Sequence, residues 1–235
     1  MPGGLAVPLA GSWRYHVGVP FDTQSGWYQG ESNAQNAARD AEYRQLLPAM
    51  IGNWRAGFRQ GNFPFLIVHL AGFGPGDAWL GLRQAQWLTA QRLPNCGIAT
   101  AVDVGEQWNI HPGNQQEVGR RLALVAEAKV YGEPVDYAGP VYQAVGVAGS
   151  SAYLSFGHLG GGLVAKDGPL TGFQLAGADG KFVPAEAKID GDTVVVSAES
   201  VPAPAEVRYA WEAYPECSLY SKAGLPAFPF DTSAR

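Results

Sequence analysis

The seven residues 64-PFLIVHL-70 decide the fold of this chain. The run is short, apolar and rich in β-branched side chains, which is typical of a strand buried on both faces of a sheet. A second run of this kind is GIATAVD at residues 97–103. Between the two runs, residues 79–91 have the apolar spacing of a helix, and Pro94 ends it. A strand, a helix and a second buried strand predict a parallel sheet with right-handed crossovers.

The same alternation continues on both sides of this unit. The segment GWY at 26–28 is predicted to be a third strand. It precedes a helical pattern at 37–58, in which Pro48 predicts a kink or a restart. Residues 115–132 form the clearest helical pattern, which Gly132 ends. The first half of the chain is therefore predicted to be an α/β domain.

The composition changes near residue 133. The second half is rich in Gly, Val and Pro, and its apolar residues alternate with polar ones as in half-buried strands. Asp-Gly pairs in ADGKFVPA (178–185) and IDGDTVVV (189–196) predict hairpin turns. We therefore expect an irregular segment at 1–24, the α/β domain at 25–132, and a β-rich, sandwich-like domain at 133–235.

Composition excludes several classes of protein. The chain has 235 residues, of which 46% are hydrophobic, 11% aromatic and only 16% charged. A disordered tail, a coiled coil and a collagen-like fibre are therefore excluded. The net charge of −5, without a run of Lys or Arg, argues against a nucleic-acid partner. No stretch of about 18 apolar residues predicts a membrane span, and no signal peptide is recognisable, so localisation stays open.

Cofactor and metal motifs are absent from the sequence. The histidines are dispersed, and no HxxxH, CxxC, P-loop or dinucleotide fingerprint is present, so we expect no metal and no cofactor. Cys96 and Cys217 are the only cysteines. They are either two free thiols, which we favour, or a single disulfide.

Polar residues that follow the three predicted strands indicate where chemistry takes place. Ligands of parallel α/β sheets bind beyond the carboxyl ends of the strands. The segments at those ends are 26–33, 69–74 and 103–114. They place around one crevice Gln29, Gly30, Glu31, Ser32, His69, Asp103, Glu106, Asn109 and His111.

His111 is the leading catalytic candidate, because it lies in a polar loop before a helix and its near-neutral pKa in water suits proton transfer. The alternative is an ordinary surface histidine. Asp103 is the candidate that orients its ring. Ser32 lies in a strand–turn–helix segment and is either a nucleophile or the N-cap of the helix.

The remaining candidates of this crevice divide into predicted substrate-binding residues and predicted structural residues. Gln29 and the backbone N–H of Gly30 are candidate oxyanion donors. Asn33 and Asn109 are candidates for substrate binding. Glu31 is expected to be structural or to hold an arginine, and His69 is expected to be a core histidine.

Several blocks occur in an order that resembles the sialate O-acetylesterase family, a branch of the SGNH hydrolases. These blocks are WYQGESNA (27–34), YRQLLPAMIGNWR (43–55), FPFLIVHLAGF (63–73), LRQAQW (82–87), IHPGNQQEVGRRLAL (110–124) and the stretch at 160–197. The resemblance implies a flavodoxin-like α/β/α domain with a β-rich domain attached. It also implies a serine esterase that removes acetyl groups from sialic acid or other sugars, with His111 as the base and Gln29 and Gly30 at the oxyanion site.

Two departures from the family pattern bear on activity. The Gly-Gln-Ser-Asn block of the family nucleophile is not found, and Asn109 stands where many relatives carry Asp. The chain therefore resembles the C-terminal half of a longer esterase with an internal deletion. Three interpretations stay open: an esterase that uses Ser32, His111 and Asp103; a non-catalytic, glycan-binding remnant; and a chain whose partner supplies the nucleophile. The oligomeric state also stays open.

Overall fold

A computed structural model describes residues 5–8, 14–17, 25–34, 37–75 and 78–233. The chain divides into two compact units, residues 1–135 and residues 136–235, which we call unit 1 and unit 2. The domain boundary predicted from composition lies at 132/133. In the segment predicted to be irregular, strands β1 (Leu5–Pro8) and β2 (Arg14–Val17) pair in antiparallel fashion.

Unit 1 contains a parallel sheet of three strands in the order β3–β4–β5. Their bounds are β3 Ser25–Trp27, β4 Phe65–His69 and β5 Cys96–Thr100. All five residues of β4 are buried, as its unbroken apolar pattern predicts. In register, Trp27 lies beside Ile67, and Ile67 lies beside Ile98. All three strands run in the same direction, so the segments that follow them leave from one edge.

Three α-helices complete unit 1. Their bounds are α1 Ala37–Phe58, α2 Ala78–Arg92 and α3 Gln115–Lys129. Helix α1 continues through Pro48 without a restart. The buried stripe of Tyr43, Leu47 and Ile51 holds the turns on both sides of the proline against the rest of unit 1, and this packing offsets the lost hydrogen bond. Within the described residues, no helix combines the length and apolar character needed to cross a bilayer.

Unit 2 contains two four-stranded antiparallel sheets, in the orders β11–β12–β7–β6 and β10–β9–β13–β15, and a two-stranded pair, β8 with β14. The strands are β6 Val141–Ala148, β7 Ser151–Gly157, β8 Leu163–Ala165, β9 Phe173–Ala176, β10 Val183–Pro184, β11 Glu186–Asp190, β12 Thr193–Ser197, β13 Glu206–Tyr209, β14 Leu219–Ser221 and β15 Phe230–Asp231. Leu154 and Val196 of one sheet share a core with Leu175 and Tyr209 of the other. A parallel α/β sheet followed by a β-rich region is therefore confirmed.

One Asp-Gly pair forms the turn that the sequence predicts. Asp190 pairs with Thr193, so Gly191 and Asp192 make a two-residue loop between β11 and β12. Gly191 has a φ of +58°, a conformation that glycine adopts without strain.

Candidate active site

The turn after β3 has a backbone that only glycine fits. Gly30 has a φ of +146°, and a Cβ there would lie 2.7 Å from Cδ2 of Leu82. The preceding carbonyl of Gln29 accepts hydrogen bonds from the Tyr43 hydroxyl and from Nε2 of Gln86, both at 3.1 Å. The Trp27 indole N–H donates to the Tyr43 oxygen at 3.0 Å. Helices α1 and α2 therefore both hold the turn in place.

The Tyr43 hydroxyl stays protonated across the physiological range. Burial raises the pKa of Tyr43 to about 12, although the hydrogen bond from Trp27 lowers it. The hydroxyl is thus a permanent donor to the turn that carries Gln29 and Gly30.

The segment after β4 is held by buried side chains of α2. Arg83 donates from Nε to the Leu70 carbonyl at 3.0 Å and from Nη2 to the Ala71 carbonyl at 2.9 Å. The Trp79 indole N–H also donates to the Ala71 carbonyl, at 2.7 Å. Gln86 accepts from the Leu70 N–H at 3.0 Å, so one glutamine links the ends of β3 and β4.

His69 is a neutral core histidine at the end of β4. Its side chain is buried, and its Nδ1 lies 3.3 Å from Oγ1 of Thr100. Burial, with the nearby charge of Arg83, lowers the pKa of His69 to about 3. A histidine in this state is unsuited to accept protons at neutral pH.

The loop at 105–114, which follows β5, is fixed by short-range contacts. Gly105 lies directly on the backbone of Gly72, and a Cβ there would overlap the Gly72 carbonyl oxygen. Glu106 accepts from the Gly113 N–H at 2.7 Å and from Nδ2 of Asn109 at 3.1 Å. These hydrogen bonds lower the pKa of Glu106. The two ends of the loop are therefore tied together.

His111 is exposed on this fixed loop. Its backbone N–H donates to Oδ1 of Asn109 at 3.0 Å, so Asn109 shapes the loop around the histidine. After His111 the chain enters α3, where the Asn114 side chain accepts from the Glu117 N–H as an N-cap. A fixed loop thus presents an imidazole to solvent at the carboxyl edge of the sheet.

Glu31 is a half-buried carboxylate whose charge interacts with that of His111. Its Oε2 is buried and has no hydrogen-bond partner within the described part of the chain. Burial raises the pKa of Glu31, while backbone hydrogen bonds and the charge of His111 lower it. The sequence places Glu31 in the crevice but predicts a structural role. The signal available in the sequence was its position directly after β3, at the same sheet edge as His111.

Asp103 forms a buried ion pair with an arginine of α3. Its two carboxylate oxygens accept from Nη1 and Nη2 of Arg121 at 2.5 and 2.8 Å. Arg121 also donates to the Thr100 carbonyl and to Glu117, each at 2.8 Å. Burial lowers the pKa of Arg121, but its hydrogen bonds to Asp103 and Glu117 outweigh that effect and raise it. The predicted role of Asp103 as the partner of His111 stays a prediction.

Ser32 lies in a single 3₁₀ turn, Glu31–Asn33, and is exposed. Its carbonyl accepts from Nη1 of Arg39 at 3.2 Å. Helix α1 begins at Ala37, five residues later, so the alternative of an N-cap role for Ser32 is wrong. Among the described residues, no hydrogen bond joins the Ser32 hydroxyl to the His111 ring.

One of the two predicted oxyanion donors, the Gly30 N–H, is engaged within the turn. The Gly30 N–H donates to Oε1 of Gln29 at 3.0 Å, and the Asn33 N–H donates to the Gly30 carbonyl at 2.8 Å. A substrate oxygen would therefore have to replace the Gln29 side chain at the Gly30 N–H.

Neither cysteine forms a disulfide, since Cys96 and Cys217 are free thiols. No group of three His, Cys, Asp or Glu side chains with the arrangement of a metal site occurs in the described residues.

The fold is that of a carbohydrate acetylesterase. The crystal structure of a carbohydrate acetylesterase from Xanthomonas citri matches with a TM-score of 0.84 and 40% sequence identity, over 91% of this chain and 51% of that one. Residues 26–127 match the family model described as carbohydrate esterase, sialic acid-specific acetylesterase. The resemblance to the sialate O-acetylesterase family is therefore confirmed. The chain spans about half the length of its structural match. A comparison with curated proteins finds no significant match.

Proposed function

We propose that this chain hydrolyses O-acetyl esters of sugars, with His111 as the general base. The observation that carries the proposal is the exposed His111 on a fixed loop at the carboxyl edge of the parallel sheet, in a fold shared with a carbohydrate acetylesterase. The charge of His111 also acts on the half-buried Glu31. Acetyl esters of neutral sugars or of sialic acid are the proposed substrates. The proposal extends to this chain what the family model and the structural match say of their own proteins.

The proposed chemistry is acyl transfer in two steps. A serine hydroxyl, for which Ser32 is the candidate in this chain, attacks the acetyl carbonyl carbon while His111 accepts its proton. The C–O bond to the sugar breaks, and the leaving oxygen takes the proton from the imidazolium. Water then attacks the acetyl-enzyme, His111 again accepts a proton, and acetate leaves as the serine recovers its hydrogen.

We assign Glu31 the task of stabilising the imidazolium that forms on His111. Its buried Oε2 has no hydrogen-bond partner among the described residues, so it is available to interact with a nearby positive charge, and low polarity strengthens that interaction. Asp103, which Arg121 holds with both oxygens, is proposed to anchor the segment that leads into the His111 loop. In this proposal Glu31 is a positioning and electrostatic residue.

The first experiment compares two histidine variants of the full chain. His111→Gln should lower kcat/KM for acetylated sugars by at least 100-fold, because general-base catalysis contributes about 10²–10⁴-fold. His158→Gln, on an exposed histidine of unit 2, is the matched control and should retain the wild-type rate. Equal rates in both variants would overturn the role of His111.

The second experiment tests the nucleophile. Ser32→Ala should abolish hydrolysis and prevent labelling by a fluorophosphonate, whereas Ser200→Ala, at an exposed serine of unit 2, should do neither. Labelling that persists in Ser32→Ala rules Ser32 out.

The third experiment separates an electrostatic role of Glu31 from a structural one. Glu31→Gln should move the acidic limb of the pH profile of kcat/KM to lower pH, since it removes a negative charge that favours protonation of the base. In the reverse direction, His111→Gln should raise the pKa of Glu31, as followed by carboxyl ¹³C NMR. A lower rate with an unmoved profile would leave Glu31 only a structural role.

A second candidate function is glycan binding without catalysis. The sequence feature that favours it is the missing Gly-Gln-Ser-Asn block. Saturable binding of an acetylated oligosaccharide, with neither acetate release nor fluorophosphonate labelling, would select this function over hydrolysis.

A further inference from the structure

Trp108 is the most exposed large apolar side chain among the described residues, with 76% of its surface accessible. It lies on the loop at 105–114, three residues before His111, and Ile110 between them is also exposed. Within the described part of the chain, no aromatic ring or cation packs on its indole. Tryptophan has a large apolar surface, and burying that surface against a ligand stabilises the complex. In Trp108 this surface is exposed to water and available to a ligand.

The backbone around Trp108 is a closed β-turn. The Asn109 N–H donates to the Glu106 carbonyl at 3.2 Å, which places Gln107 and Trp108 at the tip. The Gly74 N–H donates to the Gln107 carbonyl at 2.9 Å and ties the tip to the segment after β4. The Glu106 side chain bridges the base of the same turn. The indole is thus held outward by an ordered turn rather than by a mobile one.

We infer that Trp108 is a stacking subsite for the sugar ring of the acetylated substrate, a role that rests on the proposed function of the His111 site. One face of a pyranose ring presents C–H groups and is apolar, while its rim carries hydroxyls, so an indole face with polar neighbours matches it. Gln107, the neighbouring residue in the chain, is exposed and carries a side-chain amide that can both donate and accept hydrogen bonds.

The spacing suits this role. His111 lies three positions after Trp108, so their Cα atoms lie at most about 11 Å apart. The inference requires an acetyl group on a ring stacked on the indole to reach the imidazole across this distance. Trp108 thereby contributes to the binding of the sugar and not to the acyl-transfer step itself.

The experiment compares Trp108→Ala and Trp108→Phe in the full chain with two acetyl esters. One is an acetylated xylo-oligosaccharide, and the other is ethyl acetate, which has no ring to stack. Trp108→Ala should raise KM for the oligosaccharide about 10-fold and leave the rate on ethyl acetate within 2-fold, and Trp108→Phe should restore part of the loss. Tyr153→Ala, at an exposed aromatic residue of β7, is the control and should change neither.

An equal loss on both esters would overturn the inference, because it would mean that Trp108 only supports the loop. If the wild-type chain hydrolyses neither ester, the proposed function fails while Trp108 is still tested by NMR. The indole N–H resonance of Trp108 is assigned as the one that is absent from the spectrum of Trp108→Phe. Addition of a deacetylated xylo-oligosaccharide to the wild-type chain should shift this resonance. An unmoved resonance at saturating oligosaccharide overturns the stacking role independently of catalysis.

Discussion

The two units bury polar side chains for different purposes. Among the residues whose side chains the structure describes, the buried polar and charged ones of unit 1 are Asp40, Arg55, His69, Arg83, Gln86, Thr89, Thr100 and Arg121, and those of unit 2 are Ser218, Ser221 and Asp231. The three arginines of this set all lie in unit 1 and donate to backbone carbonyls near strand ends. Arg55 binds the carbonyls of Phe63 and Asn95, just before β4 and β5. Arg83 and Arg121 bind carbonyls just after β4 and at the end of β5.

This difference follows from the two kinds of sheet. Antiparallel neighbours such as β6 and β7 are joined by a tight turn, so the backbone ladder itself holds the strand ends. Parallel strands are joined through long crossovers, and the chain must leave each strand end without a ladder partner. Buried arginines satisfy those carbonyls in unit 1. The same arrangement fixes the segments that carry the candidate active site.

The largest expected effect is the loss of the buried ion pair of unit 1, and the ion pair of unit 2 is the comparison. Arg121→Met removes a doubly hydrogen-bonded, buried ion-pair partner of Asp103 and should destabilise the chain by about 3–5 kcal/mol. Arg208→Met should cost only about 1 kcal/mol, because Arg208 is 29% exposed and Asp231 keeps hydrogen bonds from Ser233. Urea denaturation measures both variants. Equal losses would contradict the difference between the units.

The next effect comes from two glycines that differ only in their surroundings. Gly105→Ala places a methyl group against the backbone of Gly72 and should destabilise the chain by about 1–3 kcal/mol while displacing the His111 loop. Gly146→Ala in β6 meets no atom within 4 Å and should be nearly neutral. Thermal denaturation and the ¹H–¹⁵N spectrum of the loop test the pair, and an undisturbed loop in Gly105→Ala would refute the steric argument.

A smaller effect concerns Asp40, which packs against Gly81 at the α1–α2 interface with a buried, unpaired Oδ1. Burial raises the pKa of Asp40 from 3.8 to about 6, although Arg44 lowers it. Since the folded state binds this proton more tightly than the unfolded chain, stability falls as the pH rises from about 4 to about 6. Asp40→Asn should therefore stabilise the chain by about 1 kcal/mol at pH 7 and by little at pH 4. Urea denaturation at both pH values is the measurement, and equal effects at the two would argue against titration of Asp40.

The smallest effect is a gain in stability. Gly119→Ala in α3 meets no atom within 4 Å and should stabilise the chain by about 0.5–1 kcal/mol through helix propensity. Gly97→Ala in β5 is the contrasting variant, since its Cβ would overlap the Val125 side chain. The melting temperatures of the two variants should move in opposite directions.

The sequence predicts the strands and hairpins better than it predicts the side-chain contacts between elements. Strands β4 and β5 are recognisable because they are apolar on both faces, and the 189–196 hairpin because Asp-Gly pairs favour one turn. The helix over 37–58 is predicted correctly, but a restart at Pro48 is not observed, because local rules at a proline do not include the packing of the buried stripe around it. The pairing of Asp103 with Arg121 was missed. An arginine within a helical pattern is normally solvated, and only the tertiary structure places it inside.

For the candidate site, too, the sequence predicts the location of the residues better than their side-chain contacts. Position at the carboxyl edge of the strands identifies the candidate residues, because strand direction alone determines that edge. Which groups interact there depends on side-chain directions several residues from any strand. The charge interaction between Glu31 and His111 is of this kind, and periodicity carries no information about it.

The two hydrogen bonds on the Gln29 carbonyl have a consequence for the neighbouring N–H. The Gln29 carbonyl and the Gly30 N–H belong to one planar peptide group and point in opposite directions. With the oxygen end held by Tyr43 and Gln86, this peptide cannot flip without breaking both bonds. The direction of the Gly30 N–H dipole is therefore set before any ligand arrives, and in the proposed reaction the backbone needs no reorientation to meet the negative charge on the acetyl oxygen.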